Sequence, residues 1–139
     1  MEGGSMRLQD DVSNWLERFA GHMRARDIEG GRAMFDRDVT AFGTRIDFAH
    51  GLDDLVTRQW APTWFSTSEF RFIDESLIVL ASDDGSVVTA LARWESLGGS
   101  IERGRSPRQG RCTIVLRKDP ARPGGFRAVH THFSESPQG

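Results

Sequence analysis

The chain has 139 residues, 37% hydrophobic and 27% charged, with a formal net charge of −2. That length supports one core rather than two, since each half alone would approach the size at which a core becomes marginal, and the composition is too apolar for a disordered chain. Near-neutral charge gives no global attraction to nucleic acid or anionic membrane, no apolar run is long enough to span a bilayer, and the start lacks a secretory pattern; neither partner is expected, and a cytoplasmic location follows by default.

Residues 1–6 read as a disordered or expression-derived start, small and polar up to a second methionine, Met6. Residues 7–139 read as a single domain. From Asp10 onward, Val12, Trp15, Leu16, Phe19 and Met23 recur at spacings of three and four, which predicts an amphipathic helix capped by Asp10 or Ser13. Gly30 and Gly31 interrupt, and Ala33, Met34 and Phe35 suggest a short second helix. Gly30-Gly31-Arg32 has neither the preceding strand nor the lysine spacing of a phosphate loop. Val39 to Thr44 reads as a strand. Gly51-Leu52-Asp53-Asp54 opens a third helix carrying Leu55, Val56, Gln59, Trp60 and Trp64, bent or ended by Pro62.

Beyond this point the β-branched and aromatic segments 70–81, 87–97, 111–118 and 126–134 predict strands. Asp83-Asp84-Gly85, a loop from Gly98 to Gly110, and Pro120 to Gly125 separate them. Helices followed by a meander of strands define the α+β class, in which a curved antiparallel sheet carries helices on one face. Cys112 is the only cysteine, so no internal disulfide forms, and a small buried strand residue is a better reading of it than a nucleophile. Between Glu102 and Arg127, Arg103, Arg105, Arg108, Arg111, Arg117, Lys118, Arg122 and Arg127 outnumber two acids, which reads as a solvated hairpin face rather than a nucleic-acid site.

This order of elements, together with Gly51-Leu52-Asp53, Ala90-Leu91-Ala92-Arg93 and the ending Val129-His130-Thr131-His132-Phe133-Ser134-Glu135-Ser136-Pro137, resembles the SnoaL-like branch of the nuclear transport factor 2-like superfamily. The closing His-x-His-x-Ser-x-x-Pro is also similar to the calcium/calmodulin-dependent kinase II association domain. The resemblance spans about residues 10–137 and implies a cystatin-like cone, with three N-terminal helices on a strongly bent, mainly antiparallel sheet that encloses a pocket. It also implies pairing through the outer sheet face and an arginine turned into the pocket at the position of Arg93. Thr113 and Phe133 fall where the association domain has pocket arginines, and Arg111 is a possible substitute.

Strand alternation sorts the same residues by face. Arg93 shares a face with Thr89, Leu91 and Glu95, and Arg111 with Thr113 and Val115; Trp94, Ile114 and Leu116 lie opposite. Both faces are half apolar, so alternation alone leaves open which one meets the helices. One reading makes Arg93, Glu95, Arg111, Thr113, Trp60, Trp64 and Phe133 the pocket, for a small polar or anionic ligand, with Trp94, Ile114, Leu116, His130 and His132 as a homodimer interface. The plainer reading buries Trp94 and leaves the arginines in solvent. His130 and His132 share a strand face without a third ligand, so no metal is expected, and no cofactor is implied.

Enzymes of the superfamily include ketosteroid isomerase, scytalone dehydratase and polyketide cyclases. This chain has no tyrosine, the phenolic donor on which the first two depend, and Phe42-Gly43-Thr44 stands near where an isomerase-like base would sit. Asp47, Asp74 and Glu95 remain as candidate bases. Two classes stay open: a non-catalytic, dimeric binding domain, and a cofactor-independent isomerase, cyclase or dehydratase acting on a carbonyl compound.

Overall fold

Val12, Trp15, Leu16, Phe19 and Met23 form the buried stripe of helix α1 (Glu2–Ala25). The computed structural model describes residues 2–100 and 104–137; Glu102 and Arg103 of the basic run lie outside them. The helix begins well before Asp10, so residues 2–6, expected to be unstructured, are helical. Extending an existing helix adds one hydrogen bond per residue fixed, without a new nucleus. Asp10 and Ser13 are therefore interior rather than caps, and the Ser13 hydroxyl donates to the Asp74 carboxylate instead.

Helix α2 (Ile28–Arg32) is capped by Asp27, whose carboxylate accepts from Gly30 N–H at 3.0 Å. The short helix expected over Ala33–Phe35 thus ends earlier, and Phe35 already belongs to strand β1 (Phe35–Phe42). Gly31 is there for packing: a Cβ would lie 2.8 Å from the Trp64 ring. After β2 (Ala49–His50), residues 52–64 run as α3 (Leu52–Leu55), a π-helical turn (Val56–Trp60) and α4 (Ala61–Trp64). Pro62, in the first turn of α4, has no N–H to give to a carbonyl four residues back. The widened turn before it fits that deficit and aims Gln59, Trp60 and Trp64 inward.

The strands β3 (Thr67–Ala81), β4 (Val87–Ser100), β5 (Gly104–Lys118) and β6 (Phe126–Glu135) complete a six-stranded sheet of order β2-β1-β6-β5-β4-β3. All neighbours are antiparallel except the parallel pair β1 and β6, so the class is α+β with a mixed, mainly antiparallel sheet. The expected Gly98–Gly110 loop is largely strand, because β4 and β5 pair from Val87↔Arg117 out to Ser100↔Gly104. Glycine signals misled here: Gly98 and Gly110 sit in the ladder to leave room for neighbours. A Cβ on Gly98 would lie 2.5 Å from Arg108 Cδ, and one on Gly110 would overlap the Ser134 carbonyl and the Trp94 ring.

The helices cover the face bearing Val88, Ala90, Ala92 and Trp94 on β4 and Cys112, Ile114 and Leu116 on β5, all of them buried. Burying Trp94 removes a large apolar surface from water and needs one polar partner, which the Arg111 carbonyl supplies at 3.2 Å from Nε1. Burying Arg93 and Arg111 would instead require buried carboxylates. On β6 the alternation slips: Leu116 faces Ala128, but Val115 faces His130, with Val129 as the extra residue. A one-residue slip exchanges the faces. Thr131 and Phe133 therefore point inward, and His130 and His132 outward.

At the β3–β4 turn, Asp84 accepts from the Ser86 N–H at 3.0 Å and from the Ser82 and Ser86 hydroxyls, which lowers its pKa to about 2. A carboxyl held below its unfolded value adds stability above that value and loses it as pH falls from about 4 towards 2. Asp84→Asn should lower the melting temperature at pH 7, and the difference from wild type should narrow as pH falls from about 4 towards 2; a constant difference across this range would show that the charge is not responsible.

Candidate functional site

Between α1, the 52–64 helical run and the inner sheet face lies a cavity of about 70 Å³. Trp60 and Trp64, a turn apart on a helix bent by Pro62, stack at 4.6 Å with 18° between their planes. Phe35 meets Trp60 edge-on at 4.8 Å. On the sheet side Phe70 stacks on Trp94 at 5.7 Å, and Phe133 stands 6.4 Å from both. These rings line the cavity together with Phe19.

Its polar groups are few. Gln59 is buried and fully used: its amide N–H groups donate to Thr44 and Thr63 hydroxyls at 3.0 and 3.2 Å, and its oxygen accepts from Arg45 N–H at 2.9 Å. This ties the segment after β1 across one end of the cavity; Gly43 fits there because a Cβ would lie 2.6 Å from the Gln59 oxygen. At the other end, the Ser96 and Thr67 hydroxyls are buried without a hydrogen-bond partner among the described residues. Arg108, opposite Ser96 in the ladder, lies over Gly98, places its guanidinium 5.8 Å from the Trp94 ring centre and donates from Nε to Glu135 at 3.0 Å. Arg24 donates to the Phe70 carbonyl at 2.9 Å.

The structure brings Trp60, Trp64 and Phe133 together in the wall but not the other residues grouped with them from sequence. Arg93 and Arg111 are exposed on the outer face, directly opposite each other, and Thr113 is half-buried on that same face beside His132. Glu95 also points outward and pairs with Arg71 at 2.6 Å. The assignment of Arg93, Glu95, Arg111 and Thr113 to the pocket is corrected: the helices chose the opposite face, where Trp94 can be buried at lower cost. For the same reason Trp94, Ile114 and Leu116, expected at a dimer interface, are buried within this one chain and are not available to a second. Of that group only His130 and His132 face outward. Two arginines do reach the cavity, Arg24 from α1 and Arg108 from β5. The signal for Arg108, which the sequence places in a solvated run, is the glycine two residues beyond each member of the pair it makes with Ser96: Gly98 and Gly110.

Asp74 holds Ser13 outside the cavity, Asp47 is exposed in the loop between β1 and β2, and Glu95 is on the outer face. None of the three candidate bases lines the cavity. His130 shares a 2.9 Å hydrogen bond with the Thr40 hydroxyl, and burial, with His132 nearby, lowers its pKa. Among the described residues no three histidine, cysteine or acidic side chains cluster as metal ligands, and no helix is long and apolar enough to cross a membrane.

The chain belongs to the SnoaL-like domain family, whose model matches residues 12–138. In structure it is similar to a nuclear transport factor 2-like superfamily protein from Salmonella enterica (TM-score 0.79, 16% identity, 96% of this chain and 94% of that one). It is similar also to the CaMKII hub of S. rosetta (0.72, 18%, 91% and 95%) and to a ketosteroid isomerase-like protein from Erwinia carotovora (0.67, 15%, 89% and 93%). At these identities the likeness is one of fold. No protein of curated function matches the sequence.

Cys112 is buried, and burial pushes its thiol up to about 12, so thiolate chemistry is suppressed. In Ellman's assay the native protein should release no thiolate until denaturant is added; rapid reaction of the folded form would place Cys112 nearer to solvent.

Proposed function

We propose that this SnoaL-like domain binds a small organic molecule in the aromatic cavity and does so without catalysing a reaction on it. A flat apolar group lies against Trp60, Trp64 and Phe133, with a polar end at Ser96, Thr67 and Arg108. The observation that carries this reading is the wall itself: aromatic rings around two buried hydroxyls that have no partner among the described residues. An unpaired buried hydroxyl costs about 1–3 kcal/mol, which a ligand oxygen would recover. Such a wall, mostly apolar with a few convergent polar groups, is the usual make-up of a small-molecule site. The acid-base alternative lacks support in the geometry, since Asp47, Asp74 and Glu95 all stand outside the cavity.

Three of the four tryptophans line the cavity, so occupancy changes the intrinsic emission. Monocyclic aromatic carbonyl compounds should quench it saturably. Arg108→Met, which keeps the stem and removes the charged donors, should weaken binding about tenfold, the worth of one charge-assisted contact. A response that stays linear in concentration for every compound would sink the reading.

The same reading includes a homodimer paired through the outer sheet face. Ile78 and Leu80, each 55% exposed, stand there beside the half-buried Leu91 and Val115, and Phe42, beside His132, is exposed four strands away. Such an apolar surface on a sheet face favours a partner. Burying about 800 Å² per copy would be typical. Light scattering should give a dimer for wild type and a monomer for Leu80→Glu; a monomeric wild type would refute the pairing.

A further inference from the structure

A wide cleft of about 670 Å³ opens beside the aromatic cavity, and the two share Arg24, Phe70, Ser96 and Arg108 in their walls. Elsewhere on the cavity wall Gln59 is hydrogen-bonded to Thr44 and Thr63. The cavity is several times the ~10–15 Å³ one water needs, yet far below the roughly 300–1,000 Å³ of ordinary ligand sites, a range into which the cleft falls. A ligand of ordinary size can therefore place only one ring in the cavity, and its remainder can pass Ser96 and Arg108 into the cleft that shares them.

We propose that the ligand has two parts, an aromatic ring held in the cavity and an uncharged, amide-bearing tail laid in the cleft, as in an aromatic acyl amide. This rests on the cavity being a ligand site, as argued above. The tail's chemistry follows from the cleft's charges. Its cations are Arg24, Arg71 and Arg108 and its anions Glu69 and Glu95. Arg71 pairs with Glu95 at 2.6 Å, Arg108 with Glu135 at 3.0 Å, and Arg24 with Glu17. Counting Glu69, Glu95 and the pairing Glu17 and Glu135, which stand outside the wall, four anions meet the three cations, so no positive charge is left over to offset the desolvation of a tail carboxylate. An amide fits both signs: its carbonyl accepts from guanidinium N–H groups left free after one bond each to Glu95 or Glu135, and its N–H donates to a carboxylate or to the Gln109 amide oxygen.

Calorimetry on the whole chain with benzamide, N-benzoylglycinamide and N-benzoylglycine tests this. N-benzoylglycinamide should bind at least tenfold more tightly than benzamide, the gain from one charge-assisted contact, and the acid no more tightly than benzamide. Gln109 is exposed and lines the cleft but not the cavity, so Gln109→Phe should fold, keep benzamide affinity and lose the gain. Arg71→Ala should reduce it too. Equal affinity of benzamide and N-benzoylglycinamide would overturn the two-part ligand and leave the cavity reading standing, as would a gain untouched by Gln109→Phe. Tighter binding of the acid would overturn the uncharged tail, and no binding of any probe would overturn the cavity reading together with the inference built on it.

Discussion

Ala128 packs inward opposite Leu116, and two residues later His130 points outward opposite Val115. The extra residue between them, Val129, sets what the last strand contributes to each face. Without the bulge, the alternation that buries Ala128 would bury His130 and His132 as well and turn Thr131 and Phe133 to solvent. The cavity would lose one of its walls, and two titratable rings would lie under the helices at the cost of their charged forms. A second irregularity, between Ile73 and Ile78, does the same for β3: it brings Phe70 and Phe72 inward at one end and Leu77 at the other, and leaves Asp74 and Glu75 exposed. Both faces of the sheet owe their character to these slips.

Arginine is spent differently on the two faces. Arg93 and Arg111 stand opposite each other in the ladder, a like-charged pair that is tolerable because water screens it. Arg108 is on the inner face, and three features make that possible: Gly98 beneath its stem, the Trp94 ring beneath its guanidinium, and Glu135 at its Nε. Removing Glu135 would leave only the Trp94 ring to offset a cation beside an apolar cavity.

The helix period near Val12–Met23, the change to strand signals near Phe70 and the inward Trp60–Trp64 pair were legible because each rests on local spacing. Which sheet face met the helices was not legible, since Leu91 and Val115 on one side and Ala92 and Ile114 on the other are equally apolar. The decision lies in tertiary packing. Alternation carried across Val129 then compounded the ambiguity by grouping His130 with Trp94. Glycine was the other source of error: Gly98 and Gly110 signal a loop to any local rule, whereas the structure uses them inside paired strands to admit Arg108 and Trp94. A resemblance at Arg93 could not repair this, because the arginines that reach the cavity come from α1 and β5, not from β4.

The cavity persists against a pressure to close. Closing it would bury more apolar surface, and Ser96 and Thr67, small residues on its wall, leave it open. What keeps the walls apart is rigid: the stacked Trp60–Trp64 pair on a helix widened before Pro62, the three bonds of Gln59, and the Arg24 bond to the Phe70 carbonyl. A core selected for stability alone would have filled this space with one larger side chain at Ser96 or Thr67. Its retention, beside a guanidinium that is itself costly to place, is the feature on which the proposed binding role rests.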